Sequence, residues 1–418
     1  MIDSSNSFDF PPYAINNVYG DISTKTMAMS AQHYGNVSVY DMHNLYGISE
    51  QIATNVALTK IRGKRPFLLS RSSFLGTGKY SAKWTGDNAA TWDDLKSSII
   101  SIMDFSIFGV PMVGADICGF IDDTTEELCA RWIEVGAFYA FSRDHNALGA
   151  ANQELYLWPS VTEASQKALG MRYRLLPFMY TLLYKAHTEG STFATPMWFT
   201  FPDDPTAVTV DEQFMLGDAV LISPVLEEGQ QSVNAYFPKQ LWYDFSDFSL
   251  DIDASSGSQY VNIPTGLTDV NVHVKGGSIL PLQESAMTTT LGRKTPFTLL
   301  TALCPEGQAS GSLFWDDGEQ VSLDHYISAS YTAEVSGSEG SIITEASPSD
   351  EETAGEYEDL TITTVIVLGK NLALPLDGAS LDGVAVPNEN IYLDSIKGSL
   401  TFSDLSLPIG SSFKLVWS

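Results

Sequence analysis

The chain has 418 residues, and its 22 Lys and Arg against 51 Asp and Glu give a formal net charge of −29 at pH 7. A surface this acidic repels phosphate backbones and anionic lipid headgroups, which excludes nucleic acid as a partner. Hydrophobic residues make up 44% of the chain, so we expect a large core and two or three domains. No apolar run approaches the roughly 20 residues of a membrane span, and the start of the chain lacks the basic and apolar regions of a signal peptide.

Two short apolar segments in the first half are predicted to be buried strands that end in polar groups. They comprise residues 64–71 and 109–116, and helical sequence follows each of them, at 92–103 and 125–139. Strand, polar tip and helix in repetition is typical of a parallel βα fold whose active face lies at the carboxyl ends of the strands. The sequence therefore predicts chemistry at those strand ends.

A long amphipathic pattern predicts a helix from Thr162 to His187, and the apolar run Pro196–Phe201 that follows is predicted to be one more buried strand. Beyond it, short alternating segments are separated by Gly, Pro, Asn and Asp, which favours β-sandwich domains. The fold class predicted is α/β plus all-β. We expect three units: the C-terminal part of a barrel (1–205), a proximal β-sandwich (206–278) and a distal β-sandwich (279–418).

An acidic stretch interrupts the second half of the chain. Nine acidic residues and no basic residue lie between Glu334 and Asp359, mixed with Ser and Gly. Such composition is typical of solvated loops or disordered insertions. We therefore expect no regular structure and no function there.

The loop Trp84-Thr85-Gly86-Asp87-Asn88 has the residue types of a sugar site. It presents an aromatic face and a carboxylate just beyond a predicted strand and a glycine-containing segment. An aromatic ring packs on the apolar face of a pyranose, while carboxylate and guanidinium groups hydrogen-bond its hydroxyls. Taken alone, the loop leaves open a structural alternative, with Trp84 in the core and Asp87 forming an Asx turn.

A longer set of motifs resembles the signature of the glycoside hydrolase family 31 α-glucosidases. The central one is Gly114-Ala115-Asp116-Ile117-Cys118-Gly119-Phe120, followed by matches through residues 128–132 and 138–145. Further segments of the chain resemble the same family: 43–47, 84–88, 214–218, 223–225 and 314–318. The resemblance runs from about Pro11 to about Gly318.

The resemblance implies a partial (β/α)8 barrel followed by two β-sandwich domains, and retaining hydrolysis of α-glucosidic bonds from the non-reducing end. It implies that Asp87 is the general acid/base. The other positions that match the family's motifs are implied to contact the sugar: Arg71, Asp116 and His145 by hydrogen bonds, and Trp84 and Phe120 as walls of the subsite.

The chemistry of a retaining glycosidase is consistent with these residue types. A protonated carboxylic acid hands a proton to the leaving oxygen, about 5 to 5.5 Å from a nucleophilic carboxylate that forms the glycosyl-enzyme. Asp87 would have to be protonated near its working pH. We therefore expect Asp87 to be buried beside an aromatic wall and a second carboxylate, which would raise its pKa.

Each binding residue has a structural alternative. Arg71 could be a salt-bridge partner, Asp116 could cap the helix beginning near Thr124, and a lone His145 could be a satisfied polar residue. The resemblance favours substrate contact for all three.

The resemblance also implies a disulfide between Cys118 and Cys129. Cys304 is then unpaired, and we expect it to be buried as a small hydrophobe. The sequence Asn36-Val37-Ser38 is an N-glycosylation sequon, which agrees with passage through the secretory pathway.

The family's nucleophile is an aspartate in a Trp-Ile-Asp-Met-Asn-Glu segment ahead of Pro-Pro-Tyr. Here Pro11-Pro12-Tyr13 is present with only ten residues before it, and Ile2-Asp3 is a faint match. A residue at a chain terminus is poorly held for chemistry. We expect the chain to be the C-terminal portion of an α-glucosidase, lacking the N-terminal domain and the first half of the barrel, with doubtful activity by itself.

The leading hypothesis is an α-glucosidase that acts on maltose-type oligosaccharides or starch-derived glucans. Two alternatives stay open: a catalytically dead carbohydrate- or partner-binding remnant, and a related α-glycosidase such as an α-xylosidase. The chemistry requires no metal or organic cofactor, and we expect none. The resemblance implies an extracellular, vacuolar or lysosomal location.

Overall fold

The computed structural model describes residues 7–10, 25–370, 372–373 and 377–418. Asp3 and the Pro11-Pro12-Tyr13 stretch lie outside the described residues. None of the described helices is both long and apolar enough to cross a membrane.

Helices dominate the first half of the chain. Those predicted at 92–103, 125–139 and 162–187 are confirmed, with bounds that differ by a few residues. The α-helices of the described residues are Val39–Met42 (α1), Tyr46–Arg62 (α2), Trp92–Ile107 (α3), Glu126–Gly136 (α4), Pro159–Glu189 (α5), Met197–Thr200 (α6), Thr289–Gly292 (α7) and Glu351–Glu356 (α8).

Local capping explains where the principal helices begin. The Thr91 side chain accepts a hydrogen bond from the third residue of α3, and the Thr125 side chain does the same for α4. In both helices two acidic residues occupy the first turn, where they interact favourably with the helix dipole. Helix α5 starts with Pro159, and Gly190, with a φ of 73°, caps its end after Glu189.

Short parallel strands precede these helices and form part of a barrel. The first three, Leu69–Ser70 (β1), Ala82–Trp84 (β2) and Val113–Gly114 (β3), are hydrogen-bonded in that order. The next two, Asp116–Ile117 (β4) and Arg143–Asp144 (β5), pair with each other in parallel. This arrangement confirms the predicted partial (β/α)8 barrel, although each strand is shorter than its apolar segment.

A six-stranded sheet follows the barrel strands, in the order β11-β10-β13-β8-β7-β6, and a two-stranded sheet pairs β12 with β9. Their bounds are Ala194–Thr195 (β6), Phe214–Leu216 (β7), Val220–Ile222 (β8), Ser232–Phe237 (β9), Leu241–Asp244 (β10), Leu250–Asp253 (β11), Gln259–Pro264 (β12) and Val272–Lys275 (β13). We call these two sheets the proximal sheets.

A larger sheet, the distal sheet, occupies the rest of the chain and runs β21-β20-β25-β18-β17-β16-β14-β15-β19-β23-β22, with β24 beside β19. Its strands are Ser278–Gln283 (β14), Phe297–Ala302 (β15), Gln308–Trp315 (β16), Ile327–Ser336 (β17), Glu339–Pro348 (β18), Thr361–Leu368 (β19), Ala379–Leu381 (β20), Val384–Val386 (β21), Ile391–Asp394 (β22), Ser399–Phe402 (β23), Leu407–Pro408 (β24) and Phe413–Trp417 (β25). The proximal and distal sheets provide the β regions that the fold class predicts.

The expectation that the acidic stretch lacks regular structure is wrong. Strands β17 and β18 form a ten-pair antiparallel hairpin, and Asp350 caps α8 directly after it. Burial alternates along β17, so Tyr331 and its neighbours on one face reach the core while Glu334 points to solvent. Because the acidic side chains occupy the exposed face, their charge does not oppose strand formation.

The predicted strand at Pro196–Phe201 is also wrong. The strand β6 ends at Thr195, and Met197–Thr200 form a short helix instead. Pro196 precedes this helix with a φ of −60°, and Trp198 is 41% exposed. An apolar run without alternation does not distinguish a strand from a short helix, and here the proline favours the helix.

The distal sheet packs against the barrel through α5 and a polar cluster. Arg65, which precedes β1, donates hydrogen bonds to the fully buried Asp316 at 2.7 Å and to Tyr180 of α5 at 2.7 Å. Tyr180 in turn donates to Asp316 at 2.6 Å. The three groups tie together the strand that leads to Arg71, the long helix and the loop after β16.

Candidate active site

The strand order brings four of the six predicted site residues to adjacent strand ends, with Asp116 two positions beyond the end of β3. Trp84 is the last residue of β2, Asp116 begins β4, and Arg71 and His145 directly follow β1 and β5. Strand registers align these ends, since Ser70 pairs with Lys83 and Trp84 with Gly114. The carboxyl ends of parallel strands meet at one edge of the barrel, which is where ligands bind in this architecture.

Asp87 lies in the loop after β2 and faces Arg71. An Arg71 Nη1 atom lies 3.3 Å from Asp87 Oδ2, and the two side chains are 58% and 42% exposed. Gly86 between them has a φ of +91°, and a Cβ there would stand 2.5 Å from Arg71 Nε. The glycine therefore permits the close approach of the loop to the guanidinium.

The expectation of a buried Asp87 is wrong. With two-fifths of its side chain exposed, Asp87 lacks the apolar enclosure that the acid role was expected to require. The physical reason is that β1, the strand beside it, pairs only with β2 among the described residues, so this flank opens to a cavity.

Asp116 has the opposite environment. It is fully buried, and Arg143 Nη2 donates a 2.6 Å hydrogen bond to its Oδ1 atom. Its Oδ2 atom is buried as well and has no hydrogen-bond partner among the described residues. Burial raises the pKa of Asp116, while Arg143 and His145 oppose the rise and the charge of Asp87 adds to it. An unsatisfied buried acceptor is costly unless a ligand or water satisfies it.

The helix-cap alternative for Asp116 is excluded, because Thr125 caps α4. The backbone of Asp116 is held by Asn88 from the neighbouring loop instead. Asp116 N donates to Asn88 Oδ1 at 3.0 Å, and Asn88 Nδ2 donates to the Asp116 carbonyl at 2.9 Å. Asn88 thus links the Asp87 loop to β4. The sequence signals this role only by the position of Asn88 next to Asp87.

Aromatic groups flank this edge. The rings of Phe120 and His145 are 5.2 Å apart, and the Arg143 guanidinium lies 5.4 Å from the Trp84 ring centroid. Phe120 N also donates to the Asn88 carbonyl at 2.7 Å, which connects the Phe120 loop to the Asp87 loop. Through Arg143 and Asn88, the Trp84 and Phe120 rings thus lie on elements that contact Asp116.

The Phe120 loop is held by a disulfide between Cys118 and Cys129. Gly119, next to it, has a φ of +96°, and a Cβ there would lie 2.3 Å from the Ala90 Cα atom. Only glycine fits this contact with neighbouring backbone. The expectation of a buried Cys304 is wrong: the thiol is free and only partly buried, because Cys304 starts a turn that ends at Gly307.

Sequence reasoning missed two residues next to His145. Arg143 holds Asp116, and Asp144 accepts a 2.7 Å hydrogen bond from Gln153. Burial raises the pKa of Asp144 to about 6, since Gln153 offsets only part of the desolvation. The signal that could have found Arg143 is strand alternation, which places it on the same side as His145.

A cavity of about 940 Å³ opens beside this edge, between α2 and β1. Arg71 and Trp84 line it together with His43, Gln51 and Phe67. Its size falls within the range of roughly 300 to 1,000 Å³ that is usual for small-molecule sites.

Within the described part of the chain, the one group of His and carboxylates that could hold a metal lies elsewhere. It consists of Asp244, Asp251 and His273 on neighbouring strands of the six-stranded proximal sheet. His273 Nε2 already lies 2.8 Å from Asp251 Oδ2, so this pair is satisfied by a hydrogen bond.

Comparisons with known proteins agree with this architecture. Residues 11–182 match the model of the glycosyl hydrolases family 31 TIM-barrel domain, and residues 190–280 match that of the glycosyl hydrolase family 31 C-terminal domain. A probable alpha-glucosidase of Oryza sativa subsp. japonica is 46% identical over 425 residues, covering 98% of this chain and 48% of the relative. Alpha-xylosidase 1 of Arabidopsis thaliana is 48% identical over 317 residues, covering 75% of this chain and 34% of the relative.

Among solved structures, the Tris-bound glucosidase II alpha subunit is similar with a TM-score of 0.84 and 27% sequence identity, covering 94% of this chain and 44% of that one. The chain thus spans about half the length of the rice relative and of the solved structure. The two matched domains follow each other along the chain in the order that the barrel and the proximal sheets have here. From the motifs, the fold and these matches, we conclude that the chain belongs to glycoside hydrolase family 31.

Proposed function

We propose that the protein is a retaining α-glucosidase that removes terminal non-reducing α-linked glucose from maltose-type oligosaccharides. One observation carries the proposal. At one edge of the parallel strands, beside a cavity, the exposed Asp87–Arg71 pair lies near the buried Asp116, which has one carboxylate oxygen without a hydrogen-bond partner among the described residues. The charges of Asp87 and Asp116 act on each other across this edge. Such convergence of titratable groups in a cleft is typical of catalytic sites.

In the proposed reaction, Asp87 is the general acid. It gives its proton to the glycosidic oxygen as the bond from that oxygen to the sugar C1 breaks, and the freed sugar leaves with the proton. The exposure of Asp87 suits this role before substrate binds, because a bound sugar would cover the carboxyl and exclude water from it.

Asp116 is proposed to bind the non-reducing glucose. Its unsatisfied Oδ2 atom can accept a hydrogen bond from a sugar hydroxyl, while Arg143 keeps Oδ1 in place. Arg71 and His145 are proposed to contribute further hydrogen bonds, and Trp84 and Phe120 to pack against the ring. This arrangement would select a ring whose hydroxyls match the buried acceptor.

A retaining reaction also needs a nucleophilic carboxylate about 5 to 5.5 Å from the acid. Asp116 is already committed to Arg143, so we assign the nucleophile to a carboxylate outside the described residues. That carboxylate attacks C1 as the leaving sugar departs. Water, deprotonated by Asp87, then attacks C1 of the glycosyl-enzyme, which releases glucose with retained configuration and restores the free nucleophile.

The test is Asp87→Asn, assayed on the longest form of the protein that its gene encodes. We expect kcat/KM on maltose to fall about 10²- to 10⁴-fold. The loss should be smaller on a nitrophenyl α-glucoside, because nitrophenolate leaves without protonation. Asp104→Asn, an exposed carboxylate on α3, is the matched control and should keep full activity. Full activity of Asp87→Asn on maltose would refute the acid role.

A second candidate is an α-xylosidase, favoured by the similarity to the Arabidopsis enzyme. The two sugars differ by the hydroxymethyl group of glucose, so the same site can serve either one with a small change of the wall. Comparing kcat/KM on nitrophenyl α-glucoside and α-xyloside decides between them. Glucose binding without turnover on any of these substrates would instead support the alternative of a catalytically dead sugar-binding protein.

We also propose that the protein passes through the secretory pathway. The buried disulfide between Cys118 and Cys129 supports this location, because disulfides form and persist in oxidising compartments.

A further inference from the structure

The sequence Asn36-Val37-Ser38 occupies a turn that leads into α1. Asn36 N donates to the His33 carbonyl at 3.2 Å, and His33 N donates to the Val37 carbonyl at 2.8 Å. It is the one Asn-X-Ser or Asn-X-Thr sequence among the 418 residues. The turn thus presents the sequon at its tip.

The Asn36 side chain is free for modification. The residue is exposed, and within the described residues its amide group makes no hydrogen bond. Its φ of 63° lies in the left-handed region, which asparagine tolerates better than other non-glycine residues. A substituent on this side chain would therefore project into solvent and cost the fold no contact.

Ser38 has a separate structural task after folding. Its hydroxyl oxygen accepts a 3.2 Å hydrogen bond from Asp41 N as the cap of α1, and the hydroxyl donates to Asp41 Oδ2 at 2.6 Å. A threonine at this position would keep both the sequon and the cap. An alanine would remove both, so it does not test the sequon cleanly.

The compartment in which asparagine is glycosylated matches an independent feature of this chain. The sulfurs of Cys118 and Cys129 form a bridge between fully buried residues. Such a bridge is made in the oxidising compartments that also contain the machinery for asparagine glycosylation. The sequon and the disulfide therefore indicate the same route for the nascent chain.

We propose that Asn36 carries an N-linked glycan. The amide nitrogen of Asn36 attacks C1 of the first sugar of a lipid-diphosphate-linked oligosaccharide. The N–C1 bond forms, the bond from C1 to the diphosphate oxygen breaks, and the lipid diphosphate departs. The amide nitrogen loses one proton in this step, so the products are the glycosylated side chain, the lipid diphosphate and that proton.

The turn that carries the sequon lies beside the cavity next to the strand ends. His33 and Val39, on either side of the sequon, line the cavity of about 940 Å³. The Tyr34 side chain, two residues before Asn36, is fully exposed. A glycan on Asn36 would therefore stand near the rim of this cavity.

The experiment is secretion of the full chain, behind a secretion leader, from a eukaryotic host, followed by peptide mass spectrometry before and after treatment with a peptide N-glycosidase. We expect the peptide with Asn36 to appear only after treatment, with aspartate at position 36. Ser38→Thr should behave in the same way. Asn36→Gly, which suits the positive φ, should yield a secreted protein whose mass the enzyme does not change.

Two outcomes would overturn the proposal. Recovery of unmodified Asn36 from both the secreted wild type and Ser38→Thr would show that the turn is not an acceptor. A glycosidase-sensitive mass in Asn36→Gly would place the glycan elsewhere. Neither outcome bears on the glucosidase proposal, which rests on the strand ends around Asp87.

Discussion

The two halves of the candidate site differ in how firmly the fold holds them. On one side Asp116 is fully buried, paired with Arg143 and clamped by Asn88. On the other side Arg71 and Asp87 pair at 3.3 Å with side chains 58% and 42% exposed. The buried half is a preorganised acceptor, whereas the open half is held by a single solvated ion pair.

The helices beside each half explain the difference. Nine of the eleven residues of α4 are buried, but Gln51 is the one buried residue of the 17 in α2. Apolar side chains of α2 are exposed, with Val56 at 62% and Ile61 at 79%. Burial at the strand ends thus depends on the neighbouring elements that pack over them. Among the described residues, few elements pack over α2.

The largest expected effect comes from breaking the buried half. In Arg143→Met, Asp116 loses its partner while it stays buried; because the Arg143 side chain is itself 32% exposed, we expect the free energy of unfolding to fall by about 1 to 3 kcal/mol. Arg174→Met is the matched control, because Arg174 packs over the Phe245 and Phe248 rings without a carboxylate partner among the described residues. The free energy of unfolding of Arg174→Met, measured in the same urea titration, should fall clearly less.

The double variant Arg143→Met, Asp116→Asn tests whether the unpaired charge of Asp116 causes the loss. Since the double variant no longer buries an unpaired charge, it should recover part of the lost free energy of unfolding. Equal losses for Arg143→Met and Arg174→Met, with no recovery in the double variant, would mean that the Asp116–Arg143 pair does not stabilise this half.

A smaller effect should appear as a pH dependence. Burial raises the pKa of Asp144 to about 6 in the folded protein, above the ordinary value of 3.8. Between these values the folded state holds a proton that the unfolded state has released, so the contribution of Asp144 to stability is greatest at low pH. This contribution is lost as the pH rises through about 6.

Asp144→Asn keeps a neutral side chain at every pH and retains an oxygen for Gln153. We therefore expect the free energy of unfolding of the variant, minus that of the wild type, to increase from pH 4 to pH 7. Urea unfolding of both proteins across this range measures the difference. A difference that stays constant or decreases would contradict the buried environment of Asp144.

The smallest effect on stability is expected in the open half. Arg71→Gln removes one exposed ion pair, and such pairs contribute about 0.2 to 1 kcal/mol. Its unfolding midpoint in urea should therefore stay near that of the wild type, while activity on maltose falls. A loss of stability as large as that of Arg143→Met would show that the two halves do not differ.

Local sequence determined much of the architecture. Thr91 and Thr125 mark the starts of α3 and α4, and the motif around Asp116 indicates both the family and the strand end where that residue lies. These features are predictable because caps, periodicity and motifs depend on residues within a few positions of one another. The residues proposed for sugar binding could likewise be named before their contacts were known.

Only the tertiary structure decided how these residues are held. The Arg143–Asp116 pair joins two strands 27 positions apart, and the exposure of Asp87 depends on what covers the strand beside it. The acidic hairpin of β17 and β18 is paired along its edges by β16 and β25 of the distal sheet, and one of its faces is buried, neither of which composition reveals. Long-range pairing and burial set these environments, and no local pattern in the chain encodes them.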